Sequence, residues 1–163
     1  MIFLTIGTQQ PFDRLVTAMD AWAAANGSDI FGQLGALKAD SYRPQHFAFT
    51  EFMDSAAYEQ RLLAADILVA HAGMGSIISA LTHAKPIIIV PRRASLGEHR
   101  NEHQLATADR FRNRRGVFVA DEPADVGGLI AKIRSGGGEG GSIAAYADEG
   151  LIRTLRDFIH KGA

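Results

Sequence analysis

The chain has 163 residues, a length suited to one domain with a sizeable buried core. Apolar residues make up 47% and charged residues 21%, and the formal net charge of −1 leaves no broad basic field for nucleic acid or anionic lipid. The lack of cysteine excludes a disulfide framework and thiolate metal sites, and no apolar stretch approaches the roughly 18 residues of a membrane span.

The opening residues Ile2 to Ile6, closed by Gly7, form a near-continuous apolar run. Without a charged start or a cleavage site, they read as a first strand buried on both faces rather than a signal peptide. Leu15, Val16, Met19, Trp22 and Ala23 recur at helical spacing, and Asn26-Gly27 stops that helix. Asp29 to Leu34 predicts a second strand, and Gln45 to Thr50, after the breaker Pro44, a third. A helix over Ser55 to Ala65 leads to a fourth strand, Ile67 to Ala70. Gly73 to Ala84 reads as a helix opened by glycines, and Ile87 to Val90 as a fifth strand. A helix over about Asn101 to Asn113, a sixth strand Val117 to Val119 and a helix from Ala124 to Arg134 follow. Strands alternating with helices imply right-handed crossovers, and so an α/β Rossmann-like parallel sheet with helices on both faces. Residues 1–134 form this domain. The glycine-rich run from Ser135 to Ser142 opens a linker, 135–147, and 148–163 carries a last amphipathic helix with Leu151, Ile152, Leu155, Phe158 and Ile159. That helix either docks on a partner or packs on its own domain.

Ligands of parallel α/β sheets bind outside the carboxyl ends of the strands, and three segments fall there. The first is His71-Ala72-Gly73-Met74-Gly75-Ser76, between the fourth strand and its helix. Its glycines admit close backbone approach, and a helix start offers free N–H groups to a diphosphate. The alternative is a tight turn with no ligand. The dinucleotide fingerprint is incomplete, with Ile78 at its third glycine position, and no Walker lysine precedes Ser76. The second segment is Gly97 to Gln104, dense in hydrogen-bonding side chains suited to sugar hydroxyls. Its alternatives are a solvated helix start or a metal site at His99 and His103, which Arg100 opposes. The third is the loop Gly7-Thr8-Gln9-Gln10. His46, His83 and His160 are scattered, and the basic cluster Arg110, Arg112, Arg114 and Arg115 reads as a solvated helix end.

Five segments occur in a telling order: Glu51 to Asp54, Ala65 to Val69, His71 to Ser76, Lys85 to Pro91 and Asn101 to Gln104. As a set they resemble the C-terminal, donor-binding domain of family 28-like GT-B glycosyltransferases. With the opening Thr5-Ile6-Gly7-Thr8, the chain is similar to the small subunits of split UDP-N-acetylglucosamine transferases and of bacterial exopolysaccharide glycosyltransferase pairs. The resemblance covers about Met1 to Val119. It implies that Phe52 and Met53 lie against uracil, that Gly73, Met74, Gly75 and Ser76 hold the diphosphate, and that Asn101, His103 and Gln104 meet the sugar or phosphates. Gly7 and Thr8 would line the cleft. Ser79 stands where many relatives carry a ribose-binding glutamate, and Glu98 or Glu102 would then compensate.

The resemblance further implies inverting transfer of a sugar from a UDP-sugar to a lipid-linked acceptor, in polysaccharide or glycolipid synthesis. No cofactor or metal is expected, because the UDP-sugar is the substrate and the helix-terminal N–H groups stabilise the leaving UDP. A membrane-anchored glycosyltransferase subunit would supply the acceptor half and the general base, with His71 the base candidate within this chain. That places the chain in the cytoplasm, peripheral at the inner face of the membrane through its partner. The alternatives are a non-catalytic Rossmann-like regulatory or interaction module of a glycosyltransferase, and an NAD-dependent enzyme, which the incomplete fingerprint disfavours.

Overall fold

The computed structural model describes residues 1–27, 29–138 and 140–142; the last helix expected over 148–163 and the linker segment 143–147 lie outside them. The six apolar runs form six strands: β1 (Ile2–Thr5), β2 (Ile30–Gln33), β3 (Ala48–Thr50), β4 (Ile67–His71), β5 (Ile87–Val90) and β6 (Val117–Val119). All pair in parallel, in the order β3-β2-β1-β4-β5-β6. Among the described residues, four α-helices connect them, α1 (Asp13–Asn26), α2 (Ser55–Ala64), α3 (Met74–Thr82) and α4 (His103–Phe111), and α5 (Val126–Lys132) follows β6.

Alternation along each strand divides the core in two. Ile2, Leu4 and Ile6 of the first strand region, with Ile67, Val69, Ile88 and Val90, pack against Leu15, Val16 and Met19 of α1 and Val126 and Ile130 of α5. Phe3, Leu68, Ala70, Ile87 and Ile89 point the other way, onto Leu62 of α2, Ile77, Ala80 and Leu81 of α3, and Ala108 of α4. Consecutive residues thus serve opposite layers, which is why the central strands carry no polar face. Each fully buried Ile or Leu contributes ~1.5–3 kcal/mol relative to exposure.

The helix ends differ in a way that matters for the site. Gly27 ends α1 in the left-handed conformation (φ 55°), donating its N–H to Ala23 O at 2.9 Å. Asp54 caps α2, its Oδ1 accepting the Ala57 N–H at 2.8 Å. By contrast, Gly73 precedes α3 with no side-chain cap and no acidic residue in the first turn. The N–H groups of Met74, Gly75 and Ser76 therefore have no intrahelical acceptor and no side-chain substitute.

The third strand is shorter than the sequence suggests. The N–H groups of Gln45 and His46 donate to the carboxylate of Asp20 on α1, at 3.0 and 2.7 Å, so they cannot join the sheet. Tyr42 Oη donates to the same carboxylate at 2.7 Å, and the His46 ring lies 3.2 Å away. Asp20 is 1% exposed. Burial alone would raise its pKa, but these donors outweigh that and hold the carboxyl below its usual range. After α5 the chain widens into a π turn, Ile133–Gly137, with Gly136 at φ 90°. Farther along the glycine-rich run, Arg114 Nη2 donates to Ser142 O at 2.9 Å.

Candidate functional site

Strand order reverses its direction of growth between β1 and β4, and there the carboxyl ends of adjacent strands splay connections to opposite sides. The loop after β1 and the turn into α3 face one another across this crevice. His71, the last residue of β4, fills the space between them. A Cβ on Gly73 would overlap its ring, with Cε1 and Cδ2 only 2.8 and 2.9 Å away. A Cβ on Gly7 would lie 3.0 Å from His71 Cε1, and Gly7 sits at φ 80°, where L side chains are strained. Gly7 and Gly73 are thus required by the imidazole they sandwich. Gly75 differs: a Cβ there meets nothing within 4 Å. Its bare backbone opens directly onto the cleft, at the second residue of the uncapped helix.

Burial, and secondarily the nearby charge of Arg92, push the His71 pKa down to about 4. The ring is therefore neutral near pH 7, and its Nδ1 is buried without a partner. Arg92, two residues beyond β5, is 4% exposed. Its Nη2 donates to Ile6 O at 2.7 Å and to Gln10 O at 2.6 Å, bracketing the β1 loop. Its guanidinium also lies 5.1 Å from the Phe12 ring centroid. Burial lowers its pKa to about 10, which leaves it cationic.

Two cavities share Gly7, Thr8, His71 and Gly75. One, of ≈ 300 Å³, is lined also by Gly73, Met74, Arg92, His99, His103 and Gln104. The other, of ≈ 330 Å³, adds Thr5, Gln33, Tyr58, Ser76 and Ser79. Burial raises the Tyr58 pKa, against hydrogen bonds with Thr5 and Ser76. Gln33 is 5% exposed and its Oε1 has no partner.

Of the residues singled out by sequence, the structure brings Gly7, Thr8, His71, Gly73, Met74, Gly75, Ser76, His103 and Gln104 to this crevice. Gln104 is buried, and its Oε1 accepts the Arg92 N–H at 3.0 Å, so it builds the wall as well as lining it. Phe52, Met53 and Asn101 do not line either cavity. Phe52 is 52% exposed, and Met53 packs on the core beneath α2 and α3. Asn101 Oδ1 contacts His103 Nδ1 and accepts the His103 N–H at 3.3 Å, holding that ring in place. His99 and His103 stack edge to face, centroids 4.5 Å apart. Among the described residues no three His, Asp or Glu side chains converge as a metal-binding group.

Neither glutamate offered as compensation for Ser79 lines the two cavities. Glu98 accepts from Arg14 Nε at 2.7 Å, Arg14 Nη2 at 3.0 Å and the Arg93 N–H at 2.9 Å. Glu102 accepts the Ser95 N–H at 3.0 Å. Both carboxylates staple the loop between β5 and α4, and neither lines the cavities. Sequence reading missed Arg92, Gln33 and the position of Tyr58. The signal for Arg92 was a charged residue directly after the wholly apolar β5 and Pro91, at the edge where ligands bind.

The parallel 3-2-1-4-5-6 sheet, with an uncapped glycine turn at its switch point, defines a Rossmann-like domain of the GT-B glycosyltransferase type. A model of the glycosyltransferase family 28 C-terminal domain matches residues 1–136, and the chain belongs to that family. Among curated proteins it is similar to the UDP-N-acetylglucosamine transferase subunit ALG13 of Homo sapiens, 22% identical over 125 residues. The Mus musculus counterpart is 25% identical over 146 residues. These matches cover 72% and 82% of this chain but only 11% and 12% of those proteins. Among solved structures, the solution structure of ALG13 superposes with a TM-score of 0.55 at 18% identity, covering 94% of this chain and 93% of that one. The Acinetobacter baumannii MurG structure gives 0.59 at 16% identity, covering 81% and 40%. No helix of the described residues is long and apolar enough to cross a membrane.

Proposed function

We propose that this chain is the donor-binding subunit of a two-component inverting glycosyltransferase that moves a sugar from a UDP-sugar to a lipid-linked acceptor. The observation that carries this reading is the open start of α3. Three first-turn N–H groups have no cap, and Gly75 leaves the approach to them clear. Such a terminus carries about half a positive charge and suits a diphosphate. As the glycosidic bond breaks, negative charge grows on the departing UDP, and the same N–H groups stabilise it more than they stabilise the ground state. Gly7 and Thr8 face these groups from the β1 side. His103 and Gln104 lie where the sugar would enter, and the cavity containing Gln33, Tyr58 and Ser79 takes the nucleoside side.

The acceptor hydroxyl needs a general base. His71 at about pKa 4 is a weak proton acceptor, and it lies between Gly7 and Gly73 rather than out in the cleft. The base and acceptor site are therefore assigned to a partner subunit, membrane-anchored and bound over the carboxyl edge of the sheet. The ALG13 relatives are named as transferase subunits, which supports a divided enzyme. This placement puts the chain at the cytoplasmic face of a membrane, held there by its partner.

Titration calorimetry of the full chain with UDP tests the donor half of this reading. Saturable heat, and a thermal shift in the same concentration range, are expected. No heat and no shift at millimolar UDP would overturn it.

A further inference from the structure

The cavity beside Met74 has an unusual charge balance. Its titratable lining groups are His71, Arg92, His99 and His103, and no carboxylate lines it. Glu98, the acidic group that acts on Arg92 from nearby, is already held by Arg14 and the Arg93 N–H. Among the described residues the hydrogen-bond partners of the Arg92 guanidinium are backbone carbonyls, of Ile6 and Gln10, its other neighbour is the uncharged Phe12 ring, and its Nε is buried without a hydrogen bond. A buried cation without a paired anion is costly, so proteins retain one only where something else supplies the counter-charge. Here the buried cation stands at the wall of the crevice onto which the free N–H groups of α3 open.

We propose that Arg92 is the positioning and charge-bearing residue of this anion site. It supplies the permanent positive charge that the donor diphosphate balances, and it fixes the β1 loop so that Gly7 and Thr8 face the ligand. The inference rests on the diphosphate reading of the cleft and adds to it a residue outside the glycine turn. Two links make Arg92 suitable as a positioning residue. Its side chain ties the loop after β1, at both Ile6 and Gln10, while its own N–H is tied to Gln104 of α4. The loops after β1 and β5 therefore move as one unit, with α4 as the backing.

The test compares UDP with uncharged uridine on the full chain, by calorimetry, for the native protein and Arg92→Met. Loss of a buried charge facing an anionic ligand should weaken UDP binding by ~30-fold or more, with uridine changed by less than ~2-fold. The His71 proton resonance should also titrate at higher pH in the variant, because a neighbouring cation is gone. Equal weakening of UDP and uridine would mean a merely structural role and overturn the proposal. Should Arg92→Met fail to fold, the native protein still decides. The buried Arg92 Nε–H resonance should shift on saturation with UDP but not with uridine, and an unmoved resonance at saturating UDP would overturn the proposal. Native protein that binds no UDP would overturn the diphosphate reading itself, and this inference with it.

Discussion

Replacing Gly75 by Asp should stabilise the fold while removing the anion site, two effects of opposite sign from one side chain. Gly75 is the second residue of α3, and a Cβ there meets nothing within 4 Å, so the new side chain enters open space. Relieving the helical penalty of glycine contributes a few tenths of a kcal/mol, and a carboxylate in an uncapped first turn adds ~0.3–1 kcal/mol. The sum of ~0.5–1.5 kcal/mol corresponds to a Tm increase of ~1–5 °C for a chain of this size. For the ligand the sign is reversed. A carboxylate ~5 Å from a phosphate opposes it by ~3 kcal/mol per unit charge at an effective dielectric constant of ~20, or ~100-fold in affinity. Differential scanning calorimetry and UDP titration on the same preparations measure both. Gly75→Ala serves as the uncharged control, with a similar gain in Tm and a smaller loss of affinity. A Gly75→Asp protein that binds UDP as tightly as the native chain would refute the reasoning.

Three further outcomes follow from the same geometry. Gly73→Ala drives a methyl into the His71 ring and should lower stability by ~1–3 kcal/mol in urea titrations, the usual cost of overpacking; unchanged stability would show that the ring moves freely. His71, pushed down to about 4 from 6.5, leaves the folded chain binding fewer protons than the unfolded chain between those values. Stability should therefore be full above pH 6.5 and fall as pH drops toward 4, by at most ~3 kcal/mol from this group. A His71 resonance titrating near 6.5 would contradict that. Asp20→Ala strands the N–H groups of Gln45 and His46 and should cost ~2 kcal/mol or more, with the 40–46 segment losing amide protection first in hydrogen exchange.

The architecture was legible because the central strands β1, β4 and β5 are short apolar runs between polar breaks, buried on both faces almost throughout, which leaves little alternation to misread. β5 and β6 fall at the residues expected, and α1 ends at Gly27 as its Asn-Gly signal implies. Edges set by tertiary contacts were not legible. The third strand starts at Ala48 rather than Gln45 because a carboxylate 25 residues earlier claims the N–H groups, and nothing local in the sequence records that. The site divides the same way. The glycine turn was visible as a motif, and the structure separates its glycines by purpose: Gly73 makes room for His71, Gly75 for whatever enters the cleft. Glu98 and Glu102 read as ligand groups because their segment is polar, but Glu98 is held by Arg14 and the Arg93 N–H, Glu102 accepts from Ser95, and neither lines the cavities. Arg92 drew no notice because a buried arginine is recognisable only when the carbonyls around it are placed.

The most direct measurement is a crystal structure of the full chain soaked with uridine diphosphate. The account predicts both phosphates within hydrogen-bonding distance of the Met74 to Ser76 N–H groups, opposite Gly7 and Thr8, with Arg92 behind them. Nucleotide seated in another crevice, with the α3 terminus left bare or blocked, would contradict it.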